Sequence, residues 1–266
     1  MKEKRNLVET SIYKLYDFRA KIPANLNSKK VKKVWNIEIK QEQIPKLIDI
    51  KEGIFKKKIR IVQESLDWLV FRPFVRFVGV SGSVASEFAK EDDDIDLFIV
   101  VKNDTAWIYR LCLYLKNFSK HIIRSKEKVI KGEDVKDKFC INLITEERSL
   151  IFEDDIFNLN ELIYLKPLYN EKFLNLIYLN NSWLKDKYLV SEKFLRKDLV
   201  KIGDMKKLSK RSFLLIPINF VFFLLQVIYM SIMRHSPDYK RLWGGFINGR
   251  IEFFPKSFRE EKVKQF

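Results

Sequence analysis

Two carboxylates one residue apart, Asp94 and Asp96, open an apolar run that continues Leu97-Phe98-Ile99-Val100-Val101. In a strand, side chains at i and i+2 share a face, so this spacing turns both carboxylates one way and Ile95 and Leu97 the other. Paired carboxylate oxygens suit Mg²⁺, which takes one or two carboxylates together with substrate phosphates. Ten residues, Val84 to Asp93, separate the pair from Gly82-Ser83, which follows the apolar Val78-Gly79-Val80. Gly82 lets the backbone come close to a ligand, and Ser83 falls where the unpaired N–H groups of a helix start favour an anion. The spacing therefore predicts a phosphate seat facing a metal seat across a strand–turn–helix–strand unit over residues 78–101. The plainer alternative is a surface turn whose acidic run, Glu91 to Asp94, is merely solvated.

Gly-Ser, about ten residues, then Asp-hydrophobic-Asp on an apolar strand resembles the signature of the DNA-polymerase-β-like nucleotidyltransferase superfamily. The resemblance implies an α+β (α/β nucleotidyltransferase-like) fold: a small mixed β-sheet with flanking helices, followed by a helical C-terminal region. It implies that Gly82 and Ser83 hold a nucleoside triphosphate, that Asp94 and Asp96 are the catalytic metal ligands, and that the cofactor is Mg²⁺ or Mn²⁺. More narrowly, Cys140-Ile141-Asn142, Lys166-Pro167-Leu168-Tyr169 and Asn181-Ser182-Trp183 resemble a group of bacterial and archaeal nucleotidyltransferase-domain proteins.

In the superfamily a third metal-binding carboxylate sits on a following strand. The corresponding position here, in Phe139 to Ile144, is Asn142. An asparagine carbonyl can coordinate a metal but brings no full charge and cannot act as a base. Glu146 and Glu147 follow closely and are candidates to compensate. Equally, Asn142 reads as a polar residue on an exposed strand edge.

The elements that position these residues read as follows. Phe55, Ile59, Val62, Leu66 and Leu69 recur at steps of four and three, predicting an amphipathic helix over 54–71 that Pro73 ends. Val75 to Val80 reads as a strand. Asn103-Asp104-Thr105 reads as an N-cap for a helix over 106–120, whose apolar residues cover more than one face and predict burial. Residues 124–138 read as a charged loop, Phe139 to Ile144 as a strand, and residues 154–169 as a capped helix and turn. Three regions result: a basic helical appendage over 1–52, a nucleotidyltransferase-like domain over 53–150, and a helical region over 151–266. The appendage reads equally as a degenerate winged-helix-like module or as a solvated basic face.

Residues 213–233 carry no charge and are long enough to span a bilayer. Against spanning, Asn219 and Gln226 are seven apart and share a helical face, and Pro217 shortens the helix. A core helix, a helix lying on a membrane and a spanning helix all remain open. His235 reads as a partner for that helix's C-terminus rather than as a base.

Lys and Arg number 51 against 35 Asp and Glu, a net charge of +16 that calls for an anionic partner: nucleotide, RNA or an anionic membrane face. Cys112 and Cys140, the only cysteines, lie in apolar runs, and with two histidines they cannot build an ordinary zinc site. This cysteine usage, and an N-terminus with no signal-like apolar stretch, predict a cytoplasmic protein. Transfer of a nucleoside monophosphate to an unknown hydroxyl acceptor, nucleotide binding by a decayed site, and a basic membrane- or RNA-associated scaffold are the three functional readings.

Overall fold

The computed structural model describes residues 44–87, 89–124, 135–184, 211–232 and 238–252. The expectations for residues 1–43, the basic run 194–210, His235 and the tail from residue 256 fall outside them.

The helix expected over 54–71 is α1 (Ile44–Glu64), interrupted at Ser65 and resumed for one turn as α2 (Leu66–Leu69). It begins ahead of the expected boundary at residues 52 and 53. Its periodic residues keep their purpose: Val62 and Leu69 are buried, and Phe55, Ile59 and Leu66 pack beside them. Next come β1 (Val75–Val80), the single helical turn α3 (Gly82–Ala85), β2 (Ile95–Val101), α4 (Ala106–Lys120) and β3 (Phe139–Glu146). After a 3-10 turn at Glu147–Ser149 follow α5 (Ile156–Ile163), β4 (Lys166–Tyr169), α6 (Lys172–Asn180), α7 (Leu215–Ile232), α8 (Tyr239–Asn248) and β5 (Arg250–Glu252).

The strands form one mixed sheet in the order β4-β1-β2-β3-β5, with β2 and β3 parallel and the other pairs antiparallel. The α+β architecture implied by the resemblance is the one observed, with one correction. Lys166 to Tyr169, read as a turn, and Arg250 to Glu252, in the region read as helical, are edge strands of this sheet, so the sheet runs across the expected boundary at residues 150 and 151. Short strands at a sheet edge have too few residues to show a period of two, which is why alternation did not reveal them.

Alternation along β2 divides the core. Ile95, Leu97, Ile99 and Val101 face one layer with Leu69, Trp107, Tyr109, Leu113, Phe223 and Leu242. Phe98 and Val100 face the other, with Phe152, Phe157, Leu162 and Ile177 from the segments that include α5 and α6. Helices thus cover both faces of the sheet.

The start of α4 shows how the layers are tied. Thr105 stands at the N-cap position as expected, but its hydroxyl donates to the Lys102 carbonyl instead of capping. The helix's first N–H groups are satisfied from a distance: Ala106 donates to Glu146, and Trp107 and Ile108 donate to the Asn219 side chain of α7. A buried helix start needs such partners, because its first N–H groups have none within the helix. Burial expected along the whole of α4 holds for its first half only; Leu115 and Phe118 are exposed.

Candidate active site

Asp94 and Asp96 come together as the spacing predicts. Asp96 shares its face of β2 with Phe98 and Val100, and Asp94 immediately precedes the strand. Gly82 sits directly against Asp96. Its φ is +64°, and an added Cβ would fall 2.4 Å from Asp96 Oδ2, so only glycine fits the turn. The Ser81 amide donates to the Asp96 carbonyl, pinning the turn to β2. Ser83 is half-buried, and its hydroxyl donates to Asp93 Oδ2 at 3.3 Å.

The acidic run ahead of β2 is not simply solvated. Lys58 of α1 has a fully buried side chain, and its ammonium donates to the Asp93 carbonyl at 2.6 Å, to the Glu91 carbonyl and to Asp137 Oδ1 at 2.8 Å. Glu91 pairs with Lys57 and Lys136, whose hydrogen bonds hold its carboxyl down at about 2. The Asp137 amide also donates to the Asp93 carbonyl. One lysine therefore fixes both the loop that feeds β2 and the loop that feeds β3. Sequence reading missed it, because a lysine on an amphipathic helix looks like any solvated cation.

β3 also brings Cys140, which the sequence placed only in an apolar run, beside the pair. β3 runs parallel to β2 with Cys140 opposite Asp96, and the register then slips so that Phe98 faces Leu143. A bulge of this kind places an extra residue on one strand and re-aims its neighbours. Ligand atoms of Asp94, Asp96 and Cys140 all lie within 4.8 Å of one another. Asn142 lies on β3, and its side chain is outside the described residues. Glu146 and Glu147 do not compensate. They stand at the far end of β3, about 20 Å from Cys140 at strand rise. There Glu146 pairs with Arg148 at 2.8 Å and caps Ala106, and Glu147 pairs with Arg76 at 2.9 Å. Both carboxylates are structural.

Electrostatics set the state of the pair. Burial, then the neighbouring charges of Asp94 and Glu161, pushes the Asp96 carboxyl up to about 7. Glu161 reaches this face from α5 and was not foreseen, since nothing in its local sequence ties it to residue 96. Burial and the two aspartates push the Cys140 thiol up, so it stands as a thiol that donates to Asp96. Arg124, whose amide donates to the Phe139 carbonyl beside β3, places its guanidinium 2.5 Å from Asp94 Oδ2.

The two carboxylates fit a divalent cation: they converge on one face, and the mutual repulsion that raises Asp96 is what a cation would relieve. The thiol fits less well, because Mg²⁺ prefers oxygen ligands.

Residues 67–156 match the family model described as polymerase beta, nucleotidyltransferase. That interval, about a third of the chain, runs from α2 to the start of α5 and contains Gly82, Ser83, Asp94, Asp96 and Cys140. It is a polymerase-β-type nucleotidyltransferase domain. No curated protein and no solved structure matches the chain.

Proposed function

We propose that this domain binds a nucleoside triphosphate with a divalent cation and transfers the nucleoside monophosphate to a hydroxyl acceptor. The observation that carries the reading is the fit of Gly82 against Asp96: the turn that would hold phosphate is built onto the carboxylate that would hold metal. Asp94 and Asp96 would hold the cation, Mg²⁺ or Mn²⁺, and the backbone at Gly82 and Ser83 would lie along the triphosphate. In transfer, the acceptor oxygen bonds to the α-phosphorus, pyrophosphate leaves in line, and the hydroxyl proton passes to solvent or a carboxylate. A bound divalent ion supplies charge neutralisation on the leaving group and a lower pKa for the acceptor hydroxyl. Before that, Arg124 must yield Asp94, and Asp96, whose carboxyl is raised to about 7, must be ionised.

Incubating the protein with labelled nucleoside triphosphates, Mg²⁺ or Mn²⁺ and a cell extract should release pyrophosphate, and the Asp94→Asn/Asp96→Asn protein should not. No pyrophosphate with any acceptor would refute transfer. A second reading, nucleotide binding without transfer, is favoured by two observations: a thiol, Cys140, as the third member of the cluster with Asp94 and Asp96, and the Arg124–Asp94 ion pair. Calorimetry separates the two, since that reading requires metal-dependent triphosphate affinity with no pyrophosphate.

A further inference from the structure

Helix α7 is docked inside out. Asn219, Phe223, Gln226 and Met230, at steps of four, three and four, are its buried residues. Both of its polar amides are thus spent inward. Asn219 accepts from the Trp107 and Ile108 amides, while Gln226 accepts from Arg110 and donates to the Trp107 carbonyl. The opposite side carries Ile218, Val221, Leu225, Ile228 and Ile232, at steps of three and four, each between 45% and 71% exposed. Phe213 and Leu214 at its start are more exposed still. A core helix of a soluble domain shows the reverse arrangement, apolar inward and polar outward. Mean hydropathy over the helix is 2.1, yet only 22% of it is buried.

The chain is tied to the sheeted domain ahead of this helix and again beyond it. Ahead of it, the Arg211 guanidinium pairs with Asp104 and the Ser212 amide donates to Asp104, at the start of α4. Phe220 and Phe223, in its first half, pack against Trp243 and Phe246 of α8, and beyond α8 the chain returns to the sheet, where β5 pairs with β3. Eighteen residues cover about 27 Å, and a helix crossing a bilayer would leave these anchors on opposite sides. Spanning is therefore incompatible with the folded domain.

We infer that the outer face of α7 seats the protein on an anionic phospholipid bilayer, lying in the plane of the interface. Charge selects this occupant over a second copy of the chain. No carboxylate occurs between Asp204 and Asp238, an interval that holds Lys206, Lys207, Lys210, Arg211 and Arg234, with Lys240 and Arg241 just beyond. A sequence interval of this charge repels its own copy and attracts acidic headgroups. Exposed Tyr229, Tyr239 and Trp243 add aromatic rings with one polar atom each, the side chains that favour the headgroup boundary.

Flotation of the full-length protein tests this, using phosphatidylcholine vesicles with and without phosphatidylglycerol. The protein should float with the anionic vesicles and less with the neutral ones. Leu225→Glu/Ile228→Glu should reduce the bound fraction on the order of tenfold while keeping the wild-type melting temperature, because both side chains are already half exposed. Quenching of Trp243 by brominated lipid, read as the difference between wild type and Trp243→Phe, needs no outer-face variant. The inference is overturned if wild type fails to float, if the double variant floats equally well, or if Trp243 is not quenched. It is overturned equally if wild type is a dimer that the double variant turns into monomer while neither binds vesicles.

Discussion

Replacing Asp96 by Asn isolates the electrostatic cost of the site. In the folded protein this carboxyl is pushed up to about 7, whereas in the unfolded chain it titrates at the ordinary aspartate value, about 4. Between those values the folded state holds a proton that the unfolded state has released. The group's contribution to stability is therefore fully present below about pH 4 and is lost as pH rises to about 7. At about 1.4 kcal/mol per pH unit, the loss is on the order of 2–4 kcal/mol, the lower figure allowing for the solvent that reaches this half-buried side chain. Asparagine keeps the shape and stays neutral, so its protein should follow wild type at about pH 4 and below and exceed it at about pH 8. A domain of this size shifts about 2–4 °C per kcal/mol, so the gap in melting temperature should widen by roughly 5–10 °C across that range. Melts in the presence of a chelator read the effect directly. Adding Mn²⁺ at the higher pH should narrow the gap by stabilising wild type alone. A gap that stays constant with pH would refute the assignment of a partly desolvated, repelled carboxylate at residue 96.

Other substitutions probe the remaining parts of the site. Gly82→Ala combines a left-handed backbone with a Cβ set 2.4 Å from Asp96 Oδ2; it should cost about 1–3 kcal/mol in a thermal melt and abolish metal-dependent triphosphate binding. Lys58→Met removes a buried ammonium and leaves the Asp93 carbonyl and Asp137 without its hydrogen bonds, with an expected loss of about 3 kcal/mol in urea unfolding. A loss below about 1 kcal/mol would mean that the latch matters little to the fold. Cys140→Asp places a third carboxylate opposite Asp96 and should tighten Mn²⁺ binding about tenfold or more by calorimetry, with no gain expected from Cys140→Ser.

Residues 78–101 were legible because their information is local. A period of two puts Asp94 and Asp96 on one face whatever surrounds them, and a glycine at a turn limits what can stand beside it. The strands β1, β2 and β3 and the helix α4 followed from apolar runs of sufficient length, and the mixed sheet with flanking helices from the family resemblance. Tertiary structure decided what depends on register and on distant partners. Cys140 faces Asp96 because a bulge resets the pairing of β3, and no pattern within Phe139 to Ile144 announces a bulge. Glu146 and Glu147, close in sequence to the expected third position, are removed from the site by strand rise alone. Lys58, Arg124 and Glu161 enter through contacts spanning tens of residues, where side-chain type says nothing about the partner. For α7, the sequence determined that Asn219 and Gln226 share a face; only packing against α4 decided that this polar face turns inward and leaves the apolar one outside. Local periodicity fixes which side chains travel together, and the partners that satisfy buried hydrogen bonds decide which way they point.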